Sequence, residues 1–311
     1  MISDNNPLCC CEYFDLHKER NHILACCCNC QDFDEGFDSF VSGRPISRHN
    51  QAGFMATLYD RLRIPWKGGA RRISMEACIS IVLVPIFLLI ASISPGWTII
   101  SASTMILFLT YVKCRISKSN PRMKFFFAWM NTSFVVVYLI FEFVVIPFLQ
   151  ILWEENIALS VLIAIAYFCF WKTKTRRSPD GLTKNCVYCM TQVPSDSRHY
   201  SWLDCCVGQH NAKQYTIGLC VTIAALLYGC NLTLTTVCHP FEWFAIILLP
   251  DDCTEAYDLF ELSLSFVSGL YTLGIATYLS ILLIHRITLI MFYTLFSQSQ
   301  HNRKTQDNFI A

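Results

Sequence analysis

Long apolar runs alternate with short, charge-rich connections along this chain, and the runs have the length of bilayer-crossing helices. A hydrocarbon core needs roughly 20 apolar residues per spanning helix. Six runs meet or approach that. The first covers about 73–94 (ISMEACISIVLVPIFLLIASIS) and stops at the turn pair Pro95-Gly96. The second, about 97–113, opens on Trp97, an interfacial residue type. The third, about 125–152, is long enough to require tilting. The fourth, about 157–171, is short and closes on Trp171. The fifth is about 215–237, and the sixth is about 262–284 with an apolar extension to Phe296.

Charge placement orders these runs. Lys and Arg favour the cytosolic side of a membrane. Arg61, Arg63, Lys67, Arg71 and Arg72 precede the first run, and Lys113, Arg115, Lys118, Arg122 and Lys124 join the second to the third. Seven more lie in 172–213. With six spans, all 24 basic residues fall on one side. The opposite connections carry only acids: Glu154, Glu155, Glu242, Asp251, Asp252, Glu255, Asp258 and Glu261. An odd span count would scramble that separation, so both termini are expected in the cytosol. The weakest pairing is that of the first two runs, where a re-entrant hairpin would keep the same orientation. The 1–59 region has no apolar signal core, so the first span is expected to act as its own signal-anchor.

Composition agrees. The 311 residues are 54% hydrophobic and 15% charged, too apolar for one soluble domain. The net charge of +1 points to no nucleic acid or other charged partner.

The topology sorts the 18 cysteines. Cys9, Cys10, Cys11, Cys26, Cys27, Cys28, Cys30, Cys114, Cys186, Cys189, Cys205 and Cys206 fall on the cytosolic side, where thiols stay reduced. Cys238 and Cys253 share the luminal loop and are candidates for a disulfide. The remaining four lie in membrane segments, where small apolar packing is the default role.

The 172–213 connection is the one polar stretch with the chemistry of a site. Cys186-x2-Cys189 is followed after nine residues by His199 and after six more by Cys206. Thiolate and imidazole suit four-coordinate Zn²⁺, and a loop with little apolar core gains folding energy from a metal. The alternative is a set of unrelated free thiols. Cys205 is a possible substitute ligand for Cys206.

The same loop carries a family resemblance. His199-Tyr200-Ser201-Trp202-Leu203-Asp204-Cys205-Cys206-Val207-Gly208-Gln209-His210-Asn211 resembles the end of the DHHC cysteine-rich domain of protein S-palmitoyltransferases, where D-H-H-C-x-W-x-x-x-C-V-G-x-x-N is typical. Cys186-x2-Cys189 resembles that domain's opening knuckle, and Ser178-Pro179-Asp180-Gly181 loosely resembles its D-P-G turn. Three N-terminal blocks resemble the DHHC-domain-containing protein 23 type within the family: Pro7-Leu8-Cys9-Cys10-Cys11-Glu12-Tyr13, then Cys28-Asn29-Cys30-Gln31-Asp32 with Asp34-Glu35-Gly36, and Asp60-Arg61-Leu62-Arg63-Ile64-Pro65-Trp66. The resemblance implies transfer of a palmitoyl group from palmitoyl-CoA to protein cysteines, structural Zn²⁺, and residence in Golgi, endoplasmic reticulum or plasma membrane.

The departures fall on the chemistry. Aligned on CVGxxN, the D-H-H-C positions are Ser197, Arg198, His199 and Tyr200. Tyr200 stands where the acylated cysteine is expected, and the acid and first histidine are gone. A phenol with a pKa near 10 is a poor substitute for a thiolate. The domain is also short, lacking the middle stretch with the second half of two interleaved zinc sites. In a second register, Pro194 and His199 follow Cys189 at the spacing used before the family's central histidine. The ligand set is then the first zinc site, and the deletion removes the tetrad outright. Both registers keep Cys186, Cys189, His199 and Cys206 as ligands and leave no catalytic cysteine. Cys205 is the remaining candidate nucleophile, with no base evident beside it.

Other features are weaker. The N-terminal cysteines, with His17 and His22 between them, read as a second zinc site, as S-acylation sites or as plain thiols. Glu142 is a lone acid in the third run, either functional or reaching the membrane interface. A transporter would carry more such residues and broken helices in matching halves. Asn131 and Asn231 match the glycosylation pattern but fall in membrane segments.

The expected architecture is an all-α polytopic membrane protein with about six transmembrane helices and a small cytosolic zinc-binding loop domain. Its parts are a Cys-rich cytosolic region 1–72, helices one to four in 73–171, a degenerate DHHC domain 172–214, helices five and six in 215–296 and a cytosolic tail 297–311. The expected activity is an impaired S-palmitoyltransferase. The alternatives are a non-catalytic relative acting as scaffold or regulatory partner in membranes, and an unrelated membrane protein with a structural zinc loop. The expected partners are the lipid bilayer and substrate or partner proteins.

Overall fold

A computed structural model describes residues 60–117, 124–149, 151–176, 183–243 and 247–310, with short stretches at 9, 11–14, 19–23, 35, 37–39 and 41–43. It is an all-α membrane protein decorated with small β-hairpins. Two compact units are present, Met1–Val82 and Leu83–Ala311.

The first unit carries two antiparallel hairpins, β1 (Glu12–Phe14) with β2 (Arg20–His22) and β3 (Arg63–Ile64) with β4 (Arg71–Arg72). Asp60 accepts from both Arg63 and Arg72, at 2.7 and 2.5 Å. The Arg63 guanidinium lies 4.0 Å above the buried Tyr13 ring. Of the N-terminal candidates, Cys9 is exposed and Cys11 half-buried. Cys10, Cys26, Cys27, Cys28, Cys30 and His17 lie outside the described residues, as does the Ser178–Gly181 turn.

Six apolar helices follow: α1 (Met75–Ala91), α2 (Pro95–Tyr111), α3 (Phe125–Ile140), α4 (Trp153–Thr175), α5 (Ala212–Val237) and α6 (Phe260–Ile310). A π-helical turn prolongs α2 through Ile116, and a π-helical turn and a short helix prolong α3 through Leu149. Among the described residues, five helices are long and apolar enough to cross a bilayer. α1 has 17 residues, about 26 Å at 1.5 Å per residue, short of a 30 Å core. The run expected over 73–94 is cut because Ser92, Ile93 and Ser94 form the link to α2, where the Ser94 hydroxyl accepts from Trp97 N–H. α4 is longer than its apolar run and begins at Trp153. α6 continues as helix to Ile310, so the expected separate tail is an extension of the last helix.

Large apolar side chains such as Ile99, Leu107, Phe143, Ile157 and Ile281 point outward, as lipid contact requires. Trp97, Trp153 and Trp171 are exposed at helix ends, the placement of an interfacial belt. α5 is the central helix. Tyr215, Leu219, Ile223, Leu226 and Cys230, three or four residues apart, are all buried. Small residues bring its neighbours close: a Cβ on Gly218 would sit 3.0 Å from Cys169 Cβ and Phe170 Cε1 of α4. A Cβ on Gly269 of α6 would sit 2.8 Å from Leu234 Cδ2.

At one end of α5, Cys238 and Cys253 form the expected disulfide, beside the hairpin of β9 (His239–Trp243) and β10 (Ile247–Asp252). At its other end lies the 183–207 loop. Asn131 and Asn231 both lie within helices.

Candidate functional site

The loop folds as two antiparallel hairpins, β5 (Thr183–Asn185) with β6 (Gln192–Pro194), and β7 (Arg198–Tyr200) with β8 (Cys205–Val207). The first bends tightly between its strands. Cys186 N–H donates to Thr191 O at 3.0 Å, Met190 N–H donates to Cys186 O at 2.9 Å, and Met190 takes a left-handed φ of 56°. That bend points Cys186 and Cys189 inward together. In the second hairpin His199 pairs across with Cys206 and Tyr200 with Cys205. Neighbouring residues of a strand face opposite sides, so the register decides the site. His199 and Cys206 face the knuckle, while Tyr200 and Cys205 pack against the helix core.

The four sequence-predicted ligand atoms therefore converge, all within 4.8 Å of one another. Cys189 Sγ lies 3.1 Å from His199 Nδ1 and 3.6 Å from Cys206 Sγ, and Cys206 Sγ lies 3.7 Å from His199 Nδ1. The His199 ring stacks on Tyr188 at 4.8 Å. Among the described residues this is the only group of three or more such side chains positioned to share an ion. Burial opposes ionisation of Cys186, but hydrogen bonds from the backbone N–H groups of Cys189 and Tyr188, together with those from the Cys206 and Cys189 thiols, lower its pKa overall. Burial pushes Cys189 and Cys206 up and His199 down.

Cys205 is not a substitute for Cys206. It faces away from the cluster, and its thiol donates to Cys206 O at 3.5 Å. Burial pushes that thiol up to about 11, so it is poorly placed as a nucleophile.

The hairpin is seated by Asn211, which is buried. Its Oδ1 accepts from Gly208 N–H at 2.9 Å, and its Nδ2 donates to Thr173 O and to Cys206 O, each at 3.1 Å. Trp202, also buried, meets Phe170 of α4 edge-on at 5.3 Å and Tyr215 of α5 at 6.2 Å. Lys124, ahead of α3, pairs with Asp204 at 2.7 Å.

Two apolar cavities reach this hairpin from the helices. One, of about 510 Å³, lies among α3, α4, α5 and α6 and reaches Trp202 and Leu203. The other, of about 760 Å³, runs from Ala91 and Thr98 at one end to Lys113, His199 and Tyr200 at the other. Phe87, Met105, Trp129, Leu270 and Leu282 form its apolar wall. Inside it the Tyr271 hydroxyl accepts from Trp129 Nε1 at 3.1 Å and meets Ser133 Oγ at 2.6 Å. Glu142 is elsewhere, in the π turn after α3, where it accepts from Asn156 Nδ2 at 3.4 Å.

Comparison with known proteins reads the same way. Human palmitoyltransferase ZDHHC23 is 25% identical over 86% of this chain and 82% of its own length. The mouse protein of that name is 24% identical over 86% of this chain and 78% of its own. Zebrafish palmitoyltransferase ZDHHC23-B is 23% identical over 85% and 78%. The chain is related to the ZDHHC23-type palmitoyltransferases. No family model and no solved structure matches it.

Two residues escaped sequence reasoning. Lys113 reads as an ordinary basic flank, and only the structure puts it in the cavity wall. Arg286 reads as the end of the sixth run. Its signal was spacing: Gly274, Tyr278 and Leu282 line the cavity at four-residue intervals, and Arg286 is the next step.

Proposed function

We propose that this chain is a membrane protein of the palmitoyltransferase type that keeps the acyl cavity and the metal knuckle but transfers palmitoyl groups poorly or not at all. The observation that carries the reading is the register of β7 and β8. It sets Tyr200, which alignment on CVGxxN matches to the family's cysteine, in the cavity lining, and turns its cross-strand neighbour Cys205 toward the core. Relatives named palmitoyltransferases and the long apolar cavity at Tyr200 support an acyl-CoA ligand.

Three sulfur donors and one imidazole nitrogen fit tetrahedral Zn²⁺. Cys186, Cys189, His199 and Cys206 would hold it, and it would supply folding energy by tying the two hairpins together. The surrounding chain does its share without the metal: backbone N–H groups orient Cys186, the Tyr188 ring packs against His199, and Asn211 anchors β8. The disulfide and the knuckle lie at opposite ends of α5, which supports a reducing cytosolic side for the knuckle and for both termini.

Purified full-length chain treated with a clickable palmitoyl-CoA analogue tests the proposal. The expected result is no hydroxylamine-sensitive label above background. Stoichiometric labelling abolished by Cys205→Ser would overturn it in favour of a working transferase. Elemental analysis tests the knuckle independently, with a zinc content near zero removing the metal.

A further inference from the structure

One helical step past Leu282, the last α6 residue lining the larger cavity, stands Arg286, which reaches the lining through Tyr200. Arg286 is half-buried, its Nη1 donates to the Tyr200 hydroxyl at 3.2 Å, and its guanidinium lies 5.3 Å from the Tyr215 ring. Its Nε is buried and has no hydrogen-bond partner. Among the described residues Arg286 has no carboxylate partner, and no Asp or Glu lines the cavity. A guanidinium taken out of water is costly unless an anion meets it. A second cation, Lys113, lines the same end of the cavity.

We propose that the cavity holds an unesterified long-chain fatty acid, its carboxylate held at the mouth by Arg286 and Tyr200 and its chain along the apolar wall. This rests on reading the cavity as an acyl site. The planar fork of a guanidinium matches a carboxylate, and the Tyr200 hydroxyl supplies a further donor. Lys113 adds positive charge to the lining. A thioester carbonyl would meet a phenol there rather than a thiol. The rest of the cavity of about 760 Å³ is mostly apolar, with only hydroxyls such as those of Thr98, Ser101 and Tyr271 along it. Gly274 lines it with no atom within 4 Å of where a Cβ would stand, so a large side chain there would fill the cavity without striking a neighbour near the backbone.

The test is binding of radiolabelled palmitate to the full chain in nanodiscs, with palmitoyl-CoA and hexadecanol as competitors. Saturable palmitate binding is expected, with hexadecanol at least about tenfold weaker, the scale of one charge-assisted contact. Arg286→Met should weaken palmitate about ten- to hundredfold and leave hexadecanol unchanged, with Arg286→Lys restoring part of the loss. Gly274→Phe should block both ligands while zinc content stays at the wild-type value. Hexadecanol competing as well as palmitate would overturn the carboxylate anchor. Palmitoyl-CoA binding without palmitate binding would overturn the inference and leave the acyl site standing. No binding of either acyl compound would overturn both.

Discussion

Removing the Asn211 side chain should release the β7–β8 hairpin from the helices. The three bonds of Asn211 join three pieces of chain. Gly208 N–H is one partner and Cys206 O another, beside the knuckle. Thr173 O is the third, among the last carbonyls of α4, which have no partner within the helix. Asn211→Ala removes all three, at about 1 kcal/mol each, and leaves buried groups unsatisfied, for a local cost of about 3–5 kcal/mol. Asn211→Asp is the sharper probe. It keeps the acceptor for Gly208 but turns an oxygen toward two carbonyl oxygens, so it should cost at least as much as alanine. The readout is the rate at which the buried Cys205 thiol reacts with a maleimide. When opening is fast relative to labelling, that rate follows the opening free energy. A cost of about 3 kcal/mol accelerates it about a hundredfold. Wild-type labelling rates in both variants would refute the view that Asn211 seats the hairpin.

The remaining predictions follow from single contacts. Gly218→Val should destabilise the α4–α5 contact by about 1–3 kcal/mol through overpacking, read as a lower melting temperature, whereas Gly274→Ala, with open space at its Cβ, should be neutral or better. Treatment with a strong zinc chelator should expose Cys186, Cys189 and Cys206 to alkylation, mapped by mass spectrometry, and unchanged protection would remove the metal. Tyr200→Cys should create a thiol at the cavity mouth that takes hydroxylamine-sensitive label from clickable palmitoyl-CoA above the wild-type background. An unlabelled Tyr200→Cys protein would show that the mouth does not present an acyl thioester to residue 200.

What could be read directly from the sequence was what depends on solvent. Apolar runs of bilayer length can be satisfied only as helices in lipid, so the membrane class and five of the six spans were legible. The four ligand candidates were legible too, because a metal site needs particular donor atoms at short separations. The end of α1 was not, since the break at Ser92–Ser94 depends on a hydroxyl cap at Ser94 rather than on apolarity. The direction of Cys205 was also hidden. Adjacent cysteines look equivalent in a string, and only the pairing of β7 with β8 sends Cys206 to the knuckle and Cys205 to the core. Arg286 shows the same limit. A basic residue at the end of a span reads as a membrane flank, and only the packing of α6 beside the hairpin sets it against Tyr200 with its Nε unpartnered. Local composition determined where this chain resides and which donors it carries. The register of one hairpin and the face of one helix, fixed by contacts between residues 86 positions apart, decided what those donors meet.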